Sequence, residues 1–254
     1  MKIEIRHVTT YRYAKPARYA IQSLRLTPPS FDGQEVRSWT ITAPGFETHI
    51  SYRDGLGNQV HLTTLNTPHD GIVIEASGLV ETEDRAGIVR GIPEVTPRRV
   101  FLRETPRTAP DKAIRDLAKS VSRGRVPRDP LDCLHSLMRA VGDAIAYEIG
   151  TSHTHTTAAE ALSEGKGVCQ DHAHVFISAA RVIGIPARYV NGYFHAGTLA
   201  AAEAHHAWAE AWVDGLGWVG FDPANGTCPT ERYVRLACGF DAASAAPIRG
   251  TQRG

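Results

Sequence analysis

The sequence is poor in cysteine, in long apolar runs and in excess charge of either sign. Its four cysteines, Cys133, Cys169, Cys228 and Cys238, are spread irregularly through 254 residues, which excludes a disulfide-stapled scaffold. No stretch approaches the ~18 consecutive apolar residues of a membrane-spanning helix. The segment that follows Met1 alternates charged and apolar residues, so it lacks the apolar core of a signal peptide. These absences predict a cytoplasmic protein.

The charge balance excludes two classes of partner. The formal net charge is +1 and no long Lys/Arg run is present, so neither nucleic acid nor an anionic membrane is expected as a partner. With 42% hydrophobic and 22% charged residues, the chain has the composition of an ordinary globular protein. Its length is that of one or two domains.

The first third of the sequence has the two-residue periodicity of β-strands. Ile3, Ile5, Thr9, Tyr11 and Tyr13 fall on one face of the first segment. Short apolar runs follow at residues 21–26, 36–41, 49–52, 59–65 and 71–80, separated by Pro- and Gly-rich turns. We therefore predict an N-terminal antiparallel β-sandwich domain over residues 1–92. Four prolines then favour a linker over residues 93–110.

The second half alternates between helical and strand-like patterns. Helical spacing of apolar residues recurs after residues 111 and 130, and Thr157 with Glu160 has the spacing of a capping box. A helix that starts at Cys169 should end near Gly184, since Pro186 cannot continue it. Strand-like runs follow at 187–194, 204–213 and 217–221. The overall prediction is an α+β fold with a core over residues 111–238, in which helices pack on an antiparallel sheet. The Ala-, Gly- and Ser-rich tail over 239–254 is expected to be disordered.

The stretch Gly-Val-Cys169-Gln-Asp-His-Ala-His carries the clearest chemical signal. Gly165 and Gly167 interrupt the chain just before Cys169, and the residues after it recur at helical spacing. A helix N-terminus stabilises negative charge, and the thiolate is the form in which cysteine acts as a nucleophile. On this stretch alone, a small residue packed at a helix start fits equally well.

Candidate partners for a cysteine nucleophile follow in chain order. Alternation in the strand after Ala204 puts His206, Trp208, Glu210 and Trp212 on one face. The other face carries His205 and three alanines, and we expect this alanine face to pack on the helix. Asp222 ends the next strand, directly before Pro223. Nucleophile, base and orienting acid form the arrangement of a thiol hydrolase.

Together, the Cys169 motif, Gly-Ile-Pro-Ala-Arg188-Tyr-Val-Asn-Gly-Tyr, His206-Ala-Trp-Ala-Glu and Gly-Trp-Val-Gly-Phe-Asp222-Pro-Ala-Asn-Gly resemble the core of the transglutaminase-like superfamily. The likeness spans residues 150–226. The first 85 or so residues, with His7-Val-Thr-Thr-Tyr-Arg-Tyr and Gly55-Leu-Gly-Asn, resemble the β-rich region that bacterial members carry before that core.

The resemblance implies a papain-like triad of Cys169, His206 and Asp222 and an amide-bond reaction through a thioester. Its substrate would be a peptide, a protein or an amide-bearing small molecule. Hydrolysis is the first interpretation, and transamidation of glutaminyl carboxamides is the second. A catalytically inactive binding or scaffold module is the third. The backbone N–H of Cys169 is one expected oxyanion donor, and the second is not identified.

Other residues in these motifs have competing interpretations. Trp208, Trp218 and Asn225 are candidates for substrate binding, although wall packing of the tryptophans and turn chemistry of the asparagine also fit. Asp171 is expected to cap the helix, and His205 to be structural.

The sequence predicts no metal and no other cofactor. Paired histidines at 153/155, 172/174 and 205/206 suggest zinc, but their spacing makes the side chains diverge. Animal transglutaminases use calcium, for which this chain has no clustered acidic loop.

Overall fold

The computed structural model describes residues 1–124, 127–197 and 205–254 of the chain. The described part mixes helices with antiparallel sheets, which confirms the predicted α+β class. The strands are β1 (Lys2–Ala17), β2 (Tyr19–Leu24), β3 (Gln34–Thr42), β4 (Ile50–Arg53), β5 (Gln59–Leu65), β6 (His69–Thr82), β7 (Ile88–Val89), β8 (Ala146–Tyr147), β9 (Lys166–Gly167), β10 (Ala187–Phe194), β11 (His205–Val213), β12 (Gly217–Phe221), β13 (Tyr233–Gly239) and β14 (Ile248–Arg253). The helices are α1 (Lys112–Ser122), α2 (Pro130–Ala144), α3 (Ala158–Glu164) and α4 (Cys169–Val182). No helix in these ranges is long and apolar enough to cross a bilayer.

The N-terminal strands form two antiparallel sheets that share one core. One sheet has the order β1-β6-β3 and the other β14-β2-β5-β4. In β1 the residues predicted to share a face are the more buried ones, while their neighbours point to solvent. Ile3 and Ile74 of the first sheet belong to the same buried cluster as Ala20 and Leu24 of the second. Alternating apolar residues therefore produce the predicted sandwich.

The C-terminal tail is ordered, which corrects the prediction of disorder over residues 239–254. Strand β14 pairs along the whole of β2, with Ile248 opposite Leu24 and Arg253 opposite Tyr19. Its side chains are mostly exposed, so the strand is held by backbone pairing rather than by apolar burial. An edge strand of this kind leaves little hydrophobic signal in a sequence.

The second half of the chain builds the core that carries the site. Its five-stranded sheet has the order β13-β10-β11-β12-β7, and the helices pack on it around α4. The alanines of β11, Ala207, Ala209 and Ala211, are buried in the same cluster as Phe176 and Ile177 of α4. Small residues on this strand face let the helix approach the sheet closely, as the alternation predicted.

The segment predicted to be a linker is docked on this core. Within residues 93–110 a 3-10 turn spans Arg98–Leu102, and Phe101 and Thr108 are buried. Thr108 accepts a hydrogen bond from the buried Arg181 of α4 through its Oγ1, at 2.8 Å. The prolines therefore shape a covering segment here, and the domain boundaries drawn from the sequence stay a prediction.

Two amide side chains of the N-terminal domain complete the edge of β13. Gln34 donates to the Arg235 carbonyl at 2.9 Å and accepts from the Arg235 N–H at 2.7 Å. Asn58 makes the same pair of hydrogen bonds with Cys238, both at 2.8 Å. A side-chain amide has the donor and acceptor that a neighbouring strand would offer, so these contacts satisfy backbone groups that an edge strand leaves open.

Candidate active site

Cys169 is the first residue of α4 and is partly exposed. Two glycines that precede Cys169 in the sequence fix the path of the backbone at this point. Gly165 ends α3 with a φ of 65°, a left-handed conformation that favours glycine. A Cβ on Gly167 would lie 2.7 Å from the side chain of Asp171, so no larger residue fits there without a shift. Both glycines that frame the motif are thus required by local geometry.

Asp171 clamps the start of the nucleophile helix, as expected for a capping residue. Its Oδ2 accepts hydrogen bonds from the Val168 N–H at 2.8 Å and from the Ser152 hydroxyl at 2.5 Å. The side chain is fully buried. A carboxylate in the first turn satisfies helix N–H groups and favours the helix dipole, which keeps the peptide before Cys169 in place.

His206 lies between Cys169 and Asp222. Its Nε2 is 2.7 Å from Asp222 Oδ2, and Cys169 interacts with the same imidazole and helps to raise its pKa. Because Asp222 engages Nε2, the other ring nitrogen is the one left for Cys169. The three residues predicted to act together are therefore brought together, although 53 positions separate Cys169 from Asp222.

Asp222 accepts hydrogen bonds from several groups in addition to His206. Its Oδ2 also accepts hydrogen bonds from Asn225 Nδ2 at 2.7 Å and from the Tyr233 hydroxyl at 2.8 Å. Its Oδ1 accepts from the backbone N–H of Ala224 at 3.1 Å. The carboxylate is fully buried, and each of these donors favours its ionised form.

The charges of the site follow from these contacts. Burial alone lowers the pKa of His206, but the hydrogen bonds with Asp222 and Cys169 and the charges of both partners outweigh it and raise the pKa to about 9. Burial raises the pKa of Asp222, and the hydrogen bonds from His206, Tyr233 and Asn225 bring it below its ordinary value. At neutral pH the site therefore holds an imidazolium hydrogen-bonded to an aspartate, next to Cys169.

The residues predicted to bind substrate have other surroundings. Trp208 and Trp218 are 2% and 4% exposed, so most of each indole is covered by other residues. Trp208 packs edge-on against Tyr233, and the Arg188 guanidinium lies 4.0 Å above the ring of Trp218. Asn225 supports Asp222 through its amide, and contact of Asn225 with substrate stays a prediction. Both tryptophans thus take part in packing, and a contact of either with substrate stays a prediction.

A buried ion cluster supports the strand that carries His206. Glu210, four residues further along β11, is bound by Arg188 Nε at 2.6 Å and by Arg235 Nε at 2.8 Å. Burial raises the pKa of Glu210, but the two guanidinium groups outweigh it and lower the pKa to about 2. This cluster ties together β10, β11 and β13.

Sequence reasoning missed Tyr233 and the grouping of Glu210 with two arginines. The strand pattern placed Glu210 on the same face as His206 and Trp208, which was a usable signal for a shared environment. Nothing comparable marked Tyr233, because its contact with Asp222 depends on how β13 reaches the sheet. Its ring lies 6.0 Å from that of His206.

The paired histidines considered for zinc are occupied by other contacts. His172 contacts the carbonyls of Val168 and Ile145, and His174 accepts a hydrogen bond from the Ala242 N–H. In the described ranges, no group of three or more His, Cys, Asp or Glu side chains is arranged to hold a metal ion. The imidazole ring of His205 packs against the rings of His7 and Tyr193.

Family models match both halves of the chain. Residues 115–223 match the transglutaminase-like superfamily, and residues 3–81 match the bacterial transglutaminase-like N-terminal region. An uncharacterized protein of Mycobacterium leprae is 31% identical over 269 residues, which cover 100% of this chain and 94% of that protein. An uncharacterized protein of Mycobacterium tuberculosis is 26% identical over 276 residues, covering 98% of this chain and 87% of that protein.

Solved structures include one with the same fold over the whole chain. A proposed cysteine protease from Cytophaga hutchinsonii superposes with a TM-score of 0.76 at 22% identity, covering 100% of this chain and 88% of that one. The likeness extends through both the N-terminal strands and the core. The two family matches show that this chain belongs to the transglutaminase-like superfamily.

Proposed function

We propose that this protein is a cysteine-dependent amide-bond hydrolase, a peptidase or amidohydrolase that works through a thioester acyl-enzyme. The substrate is a peptide, a protein or an amide-bearing small molecule, met in the cytoplasm. The observation that carries the proposal is the buried 2.7 Å hydrogen bond between His206 Nε2 and Asp222 Oδ2, on an imidazole that also interacts with Cys169. This is the arrangement that an acyl-transferring thiol requires.

Acylation begins from the ion pair in which the Cys169 proton already lies on His206, so that the cysteine is a thiolate and the imidazole an imidazolium. The pKa of about 9 for His206 favours the imidazolium, and the helix start favours the thiolate beside it. The thiolate attacks the amide carbonyl carbon, and the oxygen takes the negative charge near the first N–H groups of α4, which lack acceptors within the helix. His206 then gives its proton to the departing amine as the C–N bond breaks, which leaves a thioester on Cys169.

Deacylation uses the same residues, with His206 now acting as a base instead of an acid. Neutral His206 takes a proton from a water molecule, which attacks the thioester carbonyl, and the C–S bond breaks to release the carboxylic acid. Throughout both steps Asp222, fixed by Asn225 and Tyr233, holds the ring so that one nitrogen stays toward Cys169. Its negative charge stabilises the imidazolium each time it forms.

The test is a partition experiment that separates hydrolysis from transamidation. A glutaminyl peptide is offered with a labelled primary amine, and release of ammonia or of peptide-bond products is compared with incorporation of the amine. We expect release to dominate in the wild type and both reactions to vanish in Cys169→Ser at an unchanged melting temperature. Amine incorporation in clear excess of release would overturn hydrolysis in favour of acyl transfer to amines.

A further inference from the structure

The segment that leads from α2 to α3 exposes two large apolar side chains next to the nucleophile helix. Tyr147 is 53% exposed and Ile149 is 71% exposed. A single apolar residue on a protein surface needs no explanation, but here two occur within three residues in a segment that adjoins Cys169. Neither was singled out by the motifs of the sequence.

This segment is fixed to the residues around Cys169. The N–H groups of Ala146 and Glu148 donate to the carbonyls of Gly165 and Gly167, at 2.8 and 2.9 Å. The Ser152 hydroxyl donates to Asp171, the residue that caps the nucleophile helix. Exposed apolar side chains on a mobile loop would have no defined place, whereas these are held at both ends of the segment.

The position of each side chain follows from the same contacts. Tyr147 is paired with Gly167, two residues before Cys169, and its ring is 6.2 Å from that of His172 in the first turns of α4. Ile149 stands in a turn closed by the Thr151 hydroxyl on the Glu148 carbonyl, and Gly150 gives the turn its φ of 86°. The two exposed side chains therefore belong to a segment that runs alongside the residues just before Cys169, and we call this pair of side chains the 147/149 ledge.

We propose that the 147/149 ledge is a substrate subsite, which binds an aromatic or aliphatic group next to the amide that Cys169 attacks. This inference rests on the proposed function and narrows its substrate class to amides with an apolar neighbouring side chain. The occupant is the substrate itself, because the segment that carries the ledge is hydrogen-bonded to Gly167 and Asp171, on either side of the reacting cysteine. Binding there removes apolar surface from water and holds the carbonyl near Cys169.

The subsite is tested with thiol reagents, which need no knowledge of the natural substrate. The protein is treated with three reagents at concentrations below saturation: iodoacetamide, N-benzyl-iodoacetamide and N-(2-hydroxyethyl)-iodoacetamide. Mass spectrometry then measures the rate at which each reagent alkylates Cys169. We expect the benzyl reagent to exceed the hydroxyethyl reagent by about tenfold at Cys169, since the ring gains apolar contact on the ledge. Tyr147→Ser and Ile149→Ser should each reduce that ratio by about threefold, with the iodoacetamide rate unchanged.

Matched controls come from strand β4, where Tyr52 is 45% and Ile50 is 63% exposed at the edge of the N-terminal sheet. Tyr52→Ser and Ile50→Ser should leave the ratio unchanged, and Tyr147→Phe and Ile149→Leu should preserve it. The subsite is overturned if the benzyl-to-hydroxyethyl rate ratio is near one in the wild type, or if the serine variants at 147 and 149 do not lower it. In that case Cys169 is still a reactive thiol, and the proposed function stands. If iodoacetamide shows no selectivity for Cys169, the proposed function fails and this inference fails with it.

Discussion

The proton on His206 decides whether Cys169 has an acid beside it at neutral pH. The same imidazole must give a proton to the leaving amine and later accept one from water, so its ring has to stay in one orientation through both steps. That orientation is set by Asp222, which in turn is fixed by Asn225 and Tyr233. At the scale of residues, the site is a chain of hydrogen bonds that ends at the thiol.

The raised pKa of His206 predicts a stability contribution with a defined sign. The pKa is about 9 in the folded protein and 6.5 for an ordinary histidine, so the contribution is fully present below about pH 6.5 and is lost as pH rises through about 9. Its upper size is about 3 kcal/mol. Unfolding by urea at pH 6 and at pH 10 should show the wild type losing more stability than His206→Gln over this range. Parallel losses in the two proteins would contradict the raised pKa.

Tyr233→Phe should impair catalysis with little change in folding. The hydroxyl of Tyr233 is one of the groups that lower the pKa of Asp222, so its removal raises that pKa and moves the acid limb of the pH–rate profile to higher pH. We expect kcat to fall about tenfold with KM unchanged, and stability to fall by about 1 kcal/mol.

Tyr193→Phe is the matched control for that variant. Tyr193 is also buried on the neighbouring strand β10, but its hydroxyl contacts His7 Nδ1 at 3.0 Å instead of Asp222. It should keep the wild-type acid limb. If both variants shift the profile equally, the role given to Tyr233 is wrong.

At the scale of elements, the placement of α4 against β11 joins the two halves of the site. The alanine face of β11 lies under the helix, and Cys169 and His206 each stand near the beginning of their own element. Glu210 with its two arginines then fixes β11 to β10 and β13, the two strands on one side of it in the sheet. The precision of the site thus depends on packing several residues away from the thiol.

Glu210→Gln should destabilise the protein strongly. The substitution leaves Arg188 and Arg235 buried without a carboxylate, and loss of one member of a buried ion cluster costs about 3–5 kcal/mol. Glu148→Gln is the comparison, because its partner Lys166 is half exposed and loss of such a surface ion pair should leave stability nearly unchanged. Chemical denaturation of the two variants measures the difference. A loss of less than 1 kcal/mol for Glu210→Gln would show that the cluster does not hold the strand.

The elements themselves were largely readable from the sequence. The alternation in β1 and β11 and the capping box at Thr157 and Glu160 appear in the structure as predicted, because each depends on neighbours within a few residues. The burial of Trp208 could not be predicted from the sequence, because the residues that cover it, such as Tyr233, come from other strands. Likewise β14 exists through pairing with β2, more than 200 positions away in sequence.

At the scale of the whole molecule, the N-terminal domain is built into the catalytic core. Strand β14 starts after the core and completes an N-terminal sheet, while Gln34 and Asn58 complete the edge of β13. Tyr193, Val234 and Leu236 of the core lie in the same buried cluster as the strands of the sandwich. Strand β13, which begins at Tyr233, is therefore held by contacts from both halves of the chain.

Gln34→Ala should weaken the whole protein rather than one half. It leaves the N–H and C=O of Arg235 without their partner in a buried interface, which costs about 1–3 kcal/mol. Gln252→Ala, at an exposed position in β14, should be neutral within about 0.5 kcal/mol. Thermal unfolding followed by both far-UV and tryptophan signals should show one transition that moves to lower temperature. Two separate transitions in the variant would mean that the halves fold independently.

The most direct test of a thiolate–imidazolium pair is the rate of Cys169 alkylation against pH, mapped by mass spectrometry. The other cysteines are internal controls: burial raises the pKa of Cys228 to about 11 and also raises the pKa of Cys133. We predict that Cys169 alone reacts below about pH 7, and that His206→Ala abolishes this advantage. If Cys169 reacts no faster than the other cysteines, or if the variant reacts as the wild type does, the pair is not formed and the catalytic proposal is wrong.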